Sequence, residues 1–241
     1  MYPLRSEIVD AYAESDYLVV EADISKMNSE ENQKLVLEKS TYQDGTTLKD
    51  HISEEVYAKL GEILKENGAE TNALDAYKPW SVSSTIGYLT SVGKGYDTGI
   101  GIDAHFIAQA NESSIPILEL ESLEYQLDMF DNFSAELQEE MLLASIESYF
   151  SEEIALDKLS EMWITGDEEQ LLQLIKDTAT NEEMNKAMLL DRNAPMVEKI
   201  KGYLNEKEPK TYFVVVGALH MLGTDGLVPL LEKEGFTVTR Q

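Results

Sequence analysis

Two residues, Glu21 and His220, combine a reactive side chain with a position where α/β proteins place their chemistry. His220 comes three residues after Gly217, which ends a run of β-branched and aromatic residues (212–216) that predicts a strand buried on both faces. Glu21 closes the shorter apolar run of residues 16–21, which predicts a second buried strand. Open α/β sheets bind ligands at the carboxyl ends of their strands, so central, parallel strands would bring both side chains to one edge.

The chemistry open to this pair follows from the two side-chain types. A carboxylate and an imidazole at one sheet edge could share a divalent cation or form an acid–base pair. Oxygen and imidazole donors without thiolate suit Mn²⁺, Co²⁺ or Fe²⁺ about as well as Zn²⁺. The alternative is a solvated glutamate at a strand end and a histidine that is satisfied by structural hydrogen bonds.

Other polar residues carry weaker signals. Arg192 and Asn193 lie at a predicted helix start, where an arginine beside a cleft can hold a carboxylate or a phosphate, but they would also suit an ordinary helix start. Asp103 is predicted to cap the N-terminus of a helix at 103–110, with a role in a site as the alternative. His51 lies in a polar connection and is predicted to be exposed.

Charge is the unusual term in the composition of this chain. Its 241 residues include 46 acidic and 19 basic side chains, for a formal net charge of −27. Such a field repels nucleic acid and anionic membrane surfaces, so neither is an expected partner. Divalent cations or a basic partner are compatible with it, as is a surface that is simply very soluble.

The absence of cysteine excludes disulfides, thiolate metal sites and a cysteine nucleophile, and no apolar stretch approaches the ~20 residues of a transmembrane helix.

The order of the predicted elements indicates an α/β fold. Residues 122–204 are almost wholly helical in pattern, with breaks near Asn132, Gly166 and Asn181. We therefore expect a small, mostly parallel central sheet surrounded by helices, in one domain over residues 1–241 with a mostly helical subregion at about 122–205. The remaining predicted elements are strands at 16–21, 115–120, 212–216 and 236–239, and helices from Pro3 and at 29–39, 53–65, 79–91, 103–110 and 224–234.

Several short motifs, taken together in their order along the chain, resemble the TraB/GumN family, which includes bacterial relatives of the Tiki proteases. The sequence contains no P-loop, no Gly-rich dinucleotide turn, no Gly-x-Ser-x-Gly elbow and no His-Glu-x-x-His helix that would favour another class. The motifs are Tyr2-Pro-Leu, Ser15-Asp-Tyr-Leu-Val-Val-Glu21, Lys78-Pro-Trp80, Gly101-Ile-Asp103, Leu118-Glu-Leu-Glu-Ser122 with Gln126, Leu190-Asp-Arg-Asn193, and Gly217-Ala-Leu-His220 with Gly223 and Gly226.

The resemblance implies a fold akin to the erythromycin esterase and ChaN-like proteins and a metal-dependent peptidase activity on a peptide or protein substrate. It implies that His220 and Glu21 hold a divalent metal, with Glu21 as a ligand or as the general base. Arg192 would be catalytic, and Asn193, Asp103 and Gly217 would bind substrate or support the metal ligands. A secreted or cell-surface location is favoured over a cytoplasmic one.

One departure from the family pattern opens an alternative. The family's first Gly-x-x-His motif lies just upstream of Tyr-Pro-Leu and is absent from the given sequence, which leaves Glu21 and His220 as two of about three expected ligands. The alternative is a protein that binds and sequesters a peptide without cutting it, as the pheromone-shutdown members of the family are thought to act. A scaffold role through residues 122–204, with self-association into a homodimer, is a third possibility.

Overall fold

The computed structural model describes residues 3–151, 155–178 and 181–240. The chain divides into two compact units, each described by itself below. The first comprises Met1–Met27, Gly101–Leu123 and Ala155–Gln241, and the second comprises Asn28–Ile100 and Glu124–Ile154. Tyr2, the first residue of the Tyr-Pro-Leu motif, lies outside the described residues.

Helices dominate the described residues. Three 3₁₀ turns lie at Ile24–Asn28, Leu48–Asp50 and Thr98–Ile100, and a π-helix spans Lys186–Leu190. None of these described helices has both the length and the apolar composition needed to cross a bilayer. The α-helices in chain order are α1 (Ser6–Ala13), α2 (Glu30–Ser40), α3 (Glu54–Glu66), α4 (Pro79–Gly93), α5 (Ile102–Ser113), α6 (Leu123–Asp131), α7 (Ala135–Phe150), α8 (Ala155–Thr165), α9 (Glu168–Thr178), α10 (Glu182–Asn185), α11 (Asp191–Leu204), α12 (Ala218–Met221) and α13 (Leu227–Lys233).

The first unit is built on a parallel sheet, which confirms the predicted α/β class. In the part of the chain that the structure describes, the sheet has three strands, β1 (Tyr17–Val20), β2 (Ile117–Glu119) and β3 (Tyr212–Val215), in the order β2-β1-β3. Both neighbours of β1 run parallel to it. All three carboxyl ends therefore meet at one edge.

Two strand predictions are wrong. Residues 212–216 were expected in a strand buried on both faces, but β3 is an edge strand and its residues are only half-buried. Residues 236–239 form no strand; this segment leaves a turn at the end of α13. The Phe236 N–H donates to the Leu231 carbonyl, and Arg240 donates to the Gly166 carbonyl.

The alternation of side chains along β1 gives the first unit two apolar clusters. Leu18 and Val20 pack with residues of α1 and α5, including Tyr12 and Phe106. Val19 points to the opposite face and packs with residues of α11 and α13. Since successive residues of a strand face opposite sides, these three residues bury both faces of the central strand and fix its position.

The second unit is a helical assembly in which α3, α4 and α7 share one core. Its buried residues include Leu60 of α3, Ile86 of α4 and Leu142 of α7. Ser83 and Ser145 join α4 to α7 through a hydroxyl–hydroxyl bond of 2.7 Å. Small side chains at this contact allow the two helices to pack closely.

Helix starts follow the sequence signals in most places. The Ser29 and Ser53 side chains accept hydrogen bonds from the N–H groups three residues on, which confirms the predicted starts of α2 and α3. The helix expected from Pro3 begins at Ser6. The prediction that Asp103 caps α5 is wrong, because the helix starts earlier and Gly101 is its N-cap. Asp103 lies in the first turn, where the helix dipole favours a carboxylate.

Gly226, the N-cap of α13, should tolerate no larger side chain. Its backbone angles are ordinary, but a Cβ at this position would overlap the backbone of Leu222. We expect Gly226→Ala to lower the free energy of unfolding by about 1–3 kcal/mol, the usual cost of overpacking. In α11, a Cβ at Gly202 would meet nothing within 4 Å, so Gly202→Ala should raise stability by about 0.5–1 kcal/mol. Urea unfolding of both variants checks this, and equal effects would contradict it.

Candidate functional site

Glu21 and His220 meet at the carboxyl edge of the sheet. Glu21 directly follows β1, and His220 lies in α12, just after β3. The Nε2 atom of His220 is 3.8 Å from Oε1 of Glu21. The prediction that these two residues reach the same edge is confirmed, whereas their roles as metal ligands or catalytic groups stay predictions.

Gly217 lets the chain between β3 and α12 lie directly against Glu21. Its N–H donates to Glu21 Oε1 at 2.7 Å, and its carbonyl accepts from the His220 N–H at 2.9 Å. A Cβ at this position would lie 3.4 Å from Glu21 Oε1 and 3.6 Å from His220 Cδ2. A glycine here therefore keeps the carboxylate and the imidazole close to the backbone and to each other.

Arg192 ties Glu21 to a second buried carboxylate, that of Glu121. Nε and Nη2 of Arg192 donate to the two oxygens of Glu121 at 2.8 and 2.7 Å, and Nη2 also donates to Glu21 Oε2 at 2.5 Å. Nη1 donates to the Met188 carbonyl at 3.1 Å. These bonds use four of the five N–H groups of the guanidinium, so Arg192 is arranged to hold Glu21 in place.

The charges of this cluster sum to −1. Arg192 and Glu121 side chains are each only 5% exposed, and that of Glu21 is 20% exposed. Burial lowers the pKa of Arg192, but the hydrogen bonds and charges of Glu121 and Glu21 outweigh it, so its pKa is raised and it stays cationic. One positive charge thus stands against two carboxylates, and the edge of the sheet attracts cations.

A π-helix explains how Arg192 reaches this position. The prediction of a helix start at Arg192 and Asn193 is wrong. The π-helix Lys186–Leu190 runs directly into α11, so these residues do not lie at a free helix N-terminus. The wider turn of the π-helix carries the Met188 carbonyl that receives Arg192 Nη1. Single π-turns inside α-helices are frequent at functional sites.

Glu121 is the residue that sequence reasoning missed. Its position offered a signal, because it lies two residues past the end of β2, and Glu21 lies one residue past the end of β1. The Glu121 N–H donates to the Glu21 carbonyl at 2.8 Å, so the backbone pairing continues past the strand ends and sets the two carboxylates side by side.

Asn193 fixes the tautomer of His220. Asn193 Nδ2 donates to the Asp225 carbonyl at 2.7 Å, which turns Oδ1 toward His220 Nδ1, 2.6 Å away. Because Oδ1 can only accept, the proton of a neutral imidazole lies on Nδ1. The lone pair of Nε2 therefore faces the Glu21 carboxylate, and two acceptors facing each other attract a proton or a metal cation.

The imidazole of His220 should be neutral at pH 7. Burial lowers the pKa of His220, and the charge of Arg192 adds to this effect against the opposing charges of Glu21 and Glu121. Unfolding then takes up a proton between the lowered pKa and the ordinary value of about 6.5, so the free energy of unfolding should fall as the pH drops through that window.

An NMR titration of the histidine ring signals checks this, with His220 assigned from the spectrum of His220→Gln. We expect the His220 signals to titrate below about pH 6.5, with the proton on Nδ1 in the neutral form. Titration of His220 above that value would contradict the assignment.

Asp103 adds negative potential at this edge. Protein atoms displace water around its carboxyl group and raise its pKa, and the charge of Glu21 raises it further, although the residue keeps solvent contact. Its predicted role in binding substrate stays a prediction.

The residues at this edge fit a divalent cation in chemistry but supply two donors. Two atoms bound to one ion at about 2.1 Å lie roughly 3.0–3.4 Å apart, and the 3.8 Å between Glu21 Oε1 and His220 Nε2 is slightly wider. Within the described ranges, no group of three or more His, Asp or Glu side chains could hold a metal ion. A cation here would complete its coordination with water or substrate.

The fold and the site define an α/β protein with an acid–imidazole pair at the carboxyl edge of a parallel sheet. The sequence pattern of the TraB/PrgY/gumN family matches residues 1–240, and the chain belongs to this family. It is 23% identical over 235 residues to each of two proteins named "Uncharacterized protein YbaP", from Escherichia coli (strain K12) and Shigella flexneri. The match covers 96% of this chain and 82% of each relative. No solved structure matches the chain significantly, and the likeness to erythromycin esterase and ChaN-like proteins stays a prediction.

Proposed function

We propose that this chain hydrolyses peptide bonds at the edge formed by Glu21 and His220, with a divalent cation held by these two residues. The observation that carries the proposal is the imidazole lone pair of His220, turned by Asn193 toward the Glu21 carboxylate. A bound cation would polarise the scissile carbonyl and acidify a water molecule. Mn²⁺, Co²⁺, Fe²⁺ and Zn²⁺ all suit this donor set.

The surrounding residues act on the pair rather than on the substrate. Arg192 donates to Glu21 Oε2, and the Gly217 N–H donates to Oε1, so both oxygens of the carboxylate are held at the edge. Glu21 acts as a ligand or as the general base that takes the proton of the attacking water. His220 is kept neutral and correctly oriented by burial and by Asn193.

A peptide library with mass-spectrometric readout tests the proposal. The full chain is incubated with the library, with Mn²⁺, Co²⁺ or Zn²⁺ and with a chelator. We expect new peptide termini that depend on the cation and that disappear in His220→Ala. Glu119→Gln is the control, because its carboxylate bonds to Lys26 and to the Asp23 N–H, and it should leave cleavage unchanged. Cleavage that survives in His220→Ala would contradict the proposal.

Sequestration without hydrolysis is the second candidate. The observation that favours it is that the described residues supply two donors at the edge, fewer than the roughly three of most catalytic metal sites. In the same experiment, this function predicts intact peptides that co-elute with the protein in size-exclusion chromatography and no new termini. Retention that is lost in His220→Ala would place the bound peptide at this edge.

A further inference from the structure

A cleft of about 330 Å³ opens in the second unit, and neither the sequence motifs nor the family assigns it a function. It lies beside the first turns of α4 and α7, since Pro79 and Ala135 both line it. Its other lining residues are Tyr42, His51, Lys78, Asp131, Phe133 and Gln138. Lys78 and Pro79 belong to the Lys-Pro-Trp motif, whose residues are not part of the site described in the first unit.

One wall of the cleft is a stacked aromatic pair. The rings of Tyr42 and His51 lie 4.3 Å apart at an angle of 10°. Nε2 of His51 is 2.8 Å from Thr46 Oγ1, which itself donates to Asp44, so this wall is held in place by hydrogen bonds. His51 is exposed, as predicted from the sequence. Flat aromatic walls of this kind suit a planar or cationic group.

Two of the lining side chains, those of Gln138 and Asp131, bring acceptor atoms to the cleft. Gln138 is only 8% exposed, and its side-chain hydrogen bonds to the carbonyls of Phe133 and Asp131 are both donated by Nε2. Its Oε1 is therefore left as an acceptor toward the cleft that this residue lines. The Asp131 carboxylate contributes a second acceptor, with Oδ1 bonded to Lys78 Nζ at 2.6 Å.

The electrostatic environment of the cleft is negative. Burial raises the pKa of Tyr42, and the negative charges of Asp44, Asp131 and Asp50 raise it further. Among the lining residues, Asp131 and Lys78 carry opposite charges, so the excess negative charge at the cleft comes from Asp44 and Asp50, which act on Tyr42. An anionic ligand would meet net repulsion here, whereas a cation would meet acceptors and aromatic rings together.

We propose that this cleft binds one organic cationic group, an ammonium or a guanidinium, carried by a small molecule or by a basic peptide side chain. The cation donates to Gln138 Oε1 and to the Asp131 carboxylate, and lies against the aromatic wall. Lys78 competes with the ligand for Asp131. The inference is independent of the proposed hydrolysis, because it involves other residues and another charge balance.

Calorimetric titration with N-acetyl-arginine amide and with its neutral isostere N-acetyl-citrulline amide tests the charge requirement. We expect the arginine derivative to bind at least about tenfold more tightly, since a charge-assisted hydrogen bond is roughly twice as strong as a neutral one. Equal affinity of the two compounds, tighter binding of N-acetyl-glutamate amide, or no binding at millimolar concentration would overturn the proposal.

Substitutions on α6 locate the site. Asp131→Asn should weaken the binding of the arginine derivative at least about tenfold. Asp128→Asn is the matched control, because Asp128 also pairs with a lysine, Lys39, but does not line the cleft, and it should change affinity less than about twofold. Equal effects of the two substitutions would overturn the proposal.

Lys78→Met distinguishes an effect on the binding site from a general loss of folding. Removing the competing cation should strengthen binding of the arginine derivative, and a gain of affinity cannot come from lost folding. Weaker binding by a folded Lys78→Met variant would overturn the proposal. Equal affinity for N-acetyl-arginine amide and an arginine-containing nonapeptide would support a small cation as ligand, and a preference for the nonapeptide would support a peptide side chain.

Discussion

Replacing Arg192 with methionine should lower the free energy of unfolding by about 3–5 kcal/mol, the largest stability effect that we expect from one substitution in this protein. The guanidinium bonds two carboxylates, those of Glu121 and Glu21, and the Arg192 and Glu121 side chains are each 5% exposed. Methionine would leave both negative charges at the sheet edge without a counter-charge. Domains of this size are typically stable by about 5–15 kcal/mol, so urea unfolding should show a marginally folded variant.

A second ion pair in the same unit provides the control for this prediction. Lys26 pairs with Glu119 at 2.6 Å, but its side chain is 53% exposed, so Lys26→Met should cost no more than about 1 kcal/mol. The double variant Arg192→Met, Glu121→Gln should lose less stability than the sum of the losses in its two single variants. With the charge of Glu121 removed as well, one buried carboxylate fewer is left without its counter-charge. A loss of less than about 1 kcal/mol in Arg192→Met would contradict the structural role of this arginine.

Replacing Glu21 with glutamine should lower peptide hydrolysis by about 100-fold or more, since it removes either a metal ligand or the general base. Glutamine keeps the shape of the side chain and can still accept the Gly217 N–H, but it has no negative charge for a cation or a proton. The rate of appearance of new peptide termini measures the effect, and circular dichroism checks that the variant is folded.

Glu119→Gln is the matched control for Glu21→Gln. Glu119 lies at the end of the neighbouring strand β2, and its carboxylate accepts from the Asp23 N–H and from Lys26. It does not bond to Arg192 or His220, so hydrolysis by Glu119→Gln should match that of the unchanged chain. Equal losses in both variants would indicate a general effect on the sheet edge and would contradict a specific role for Glu21.

The convergence of Glu21 and His220 could be predicted from sequence because it depends on few facts. Two short apolar runs predict strands, and parallel pairing brings their carboxyl ends to one edge. Both strands form within one residue of the predicted bounds, and they pair in parallel. The same reasoning would have identified Glu121, which lies two residues past the end of β2.

The partners of these residues could not be predicted, because they depend on contacts distant in sequence. Arg192 meets Glu21 across 171 positions, and the π-helix that directs it has no clear pattern of its own. The edge position of β3 was missed because an edge strand and a central strand can share one apolar composition. Residues 236–239 have strand-like composition but form no strand, because composition alone does not decide whether a segment joins a sheet.

NMR relaxation with Mn²⁺ tests the central claim most directly, because it reports where a cation binds without requiring turnover. At substoichiometric Mn²⁺, we expect the ring signals of His220 and the amide signals of Gly217 and Glu21 to broaden first, and we expect this effect to vanish in His220→Ala. Broadening spread over the acidic surface, with His220 and Gly217 unaffected, would contradict a cation site at the carboxyl edge of the sheet.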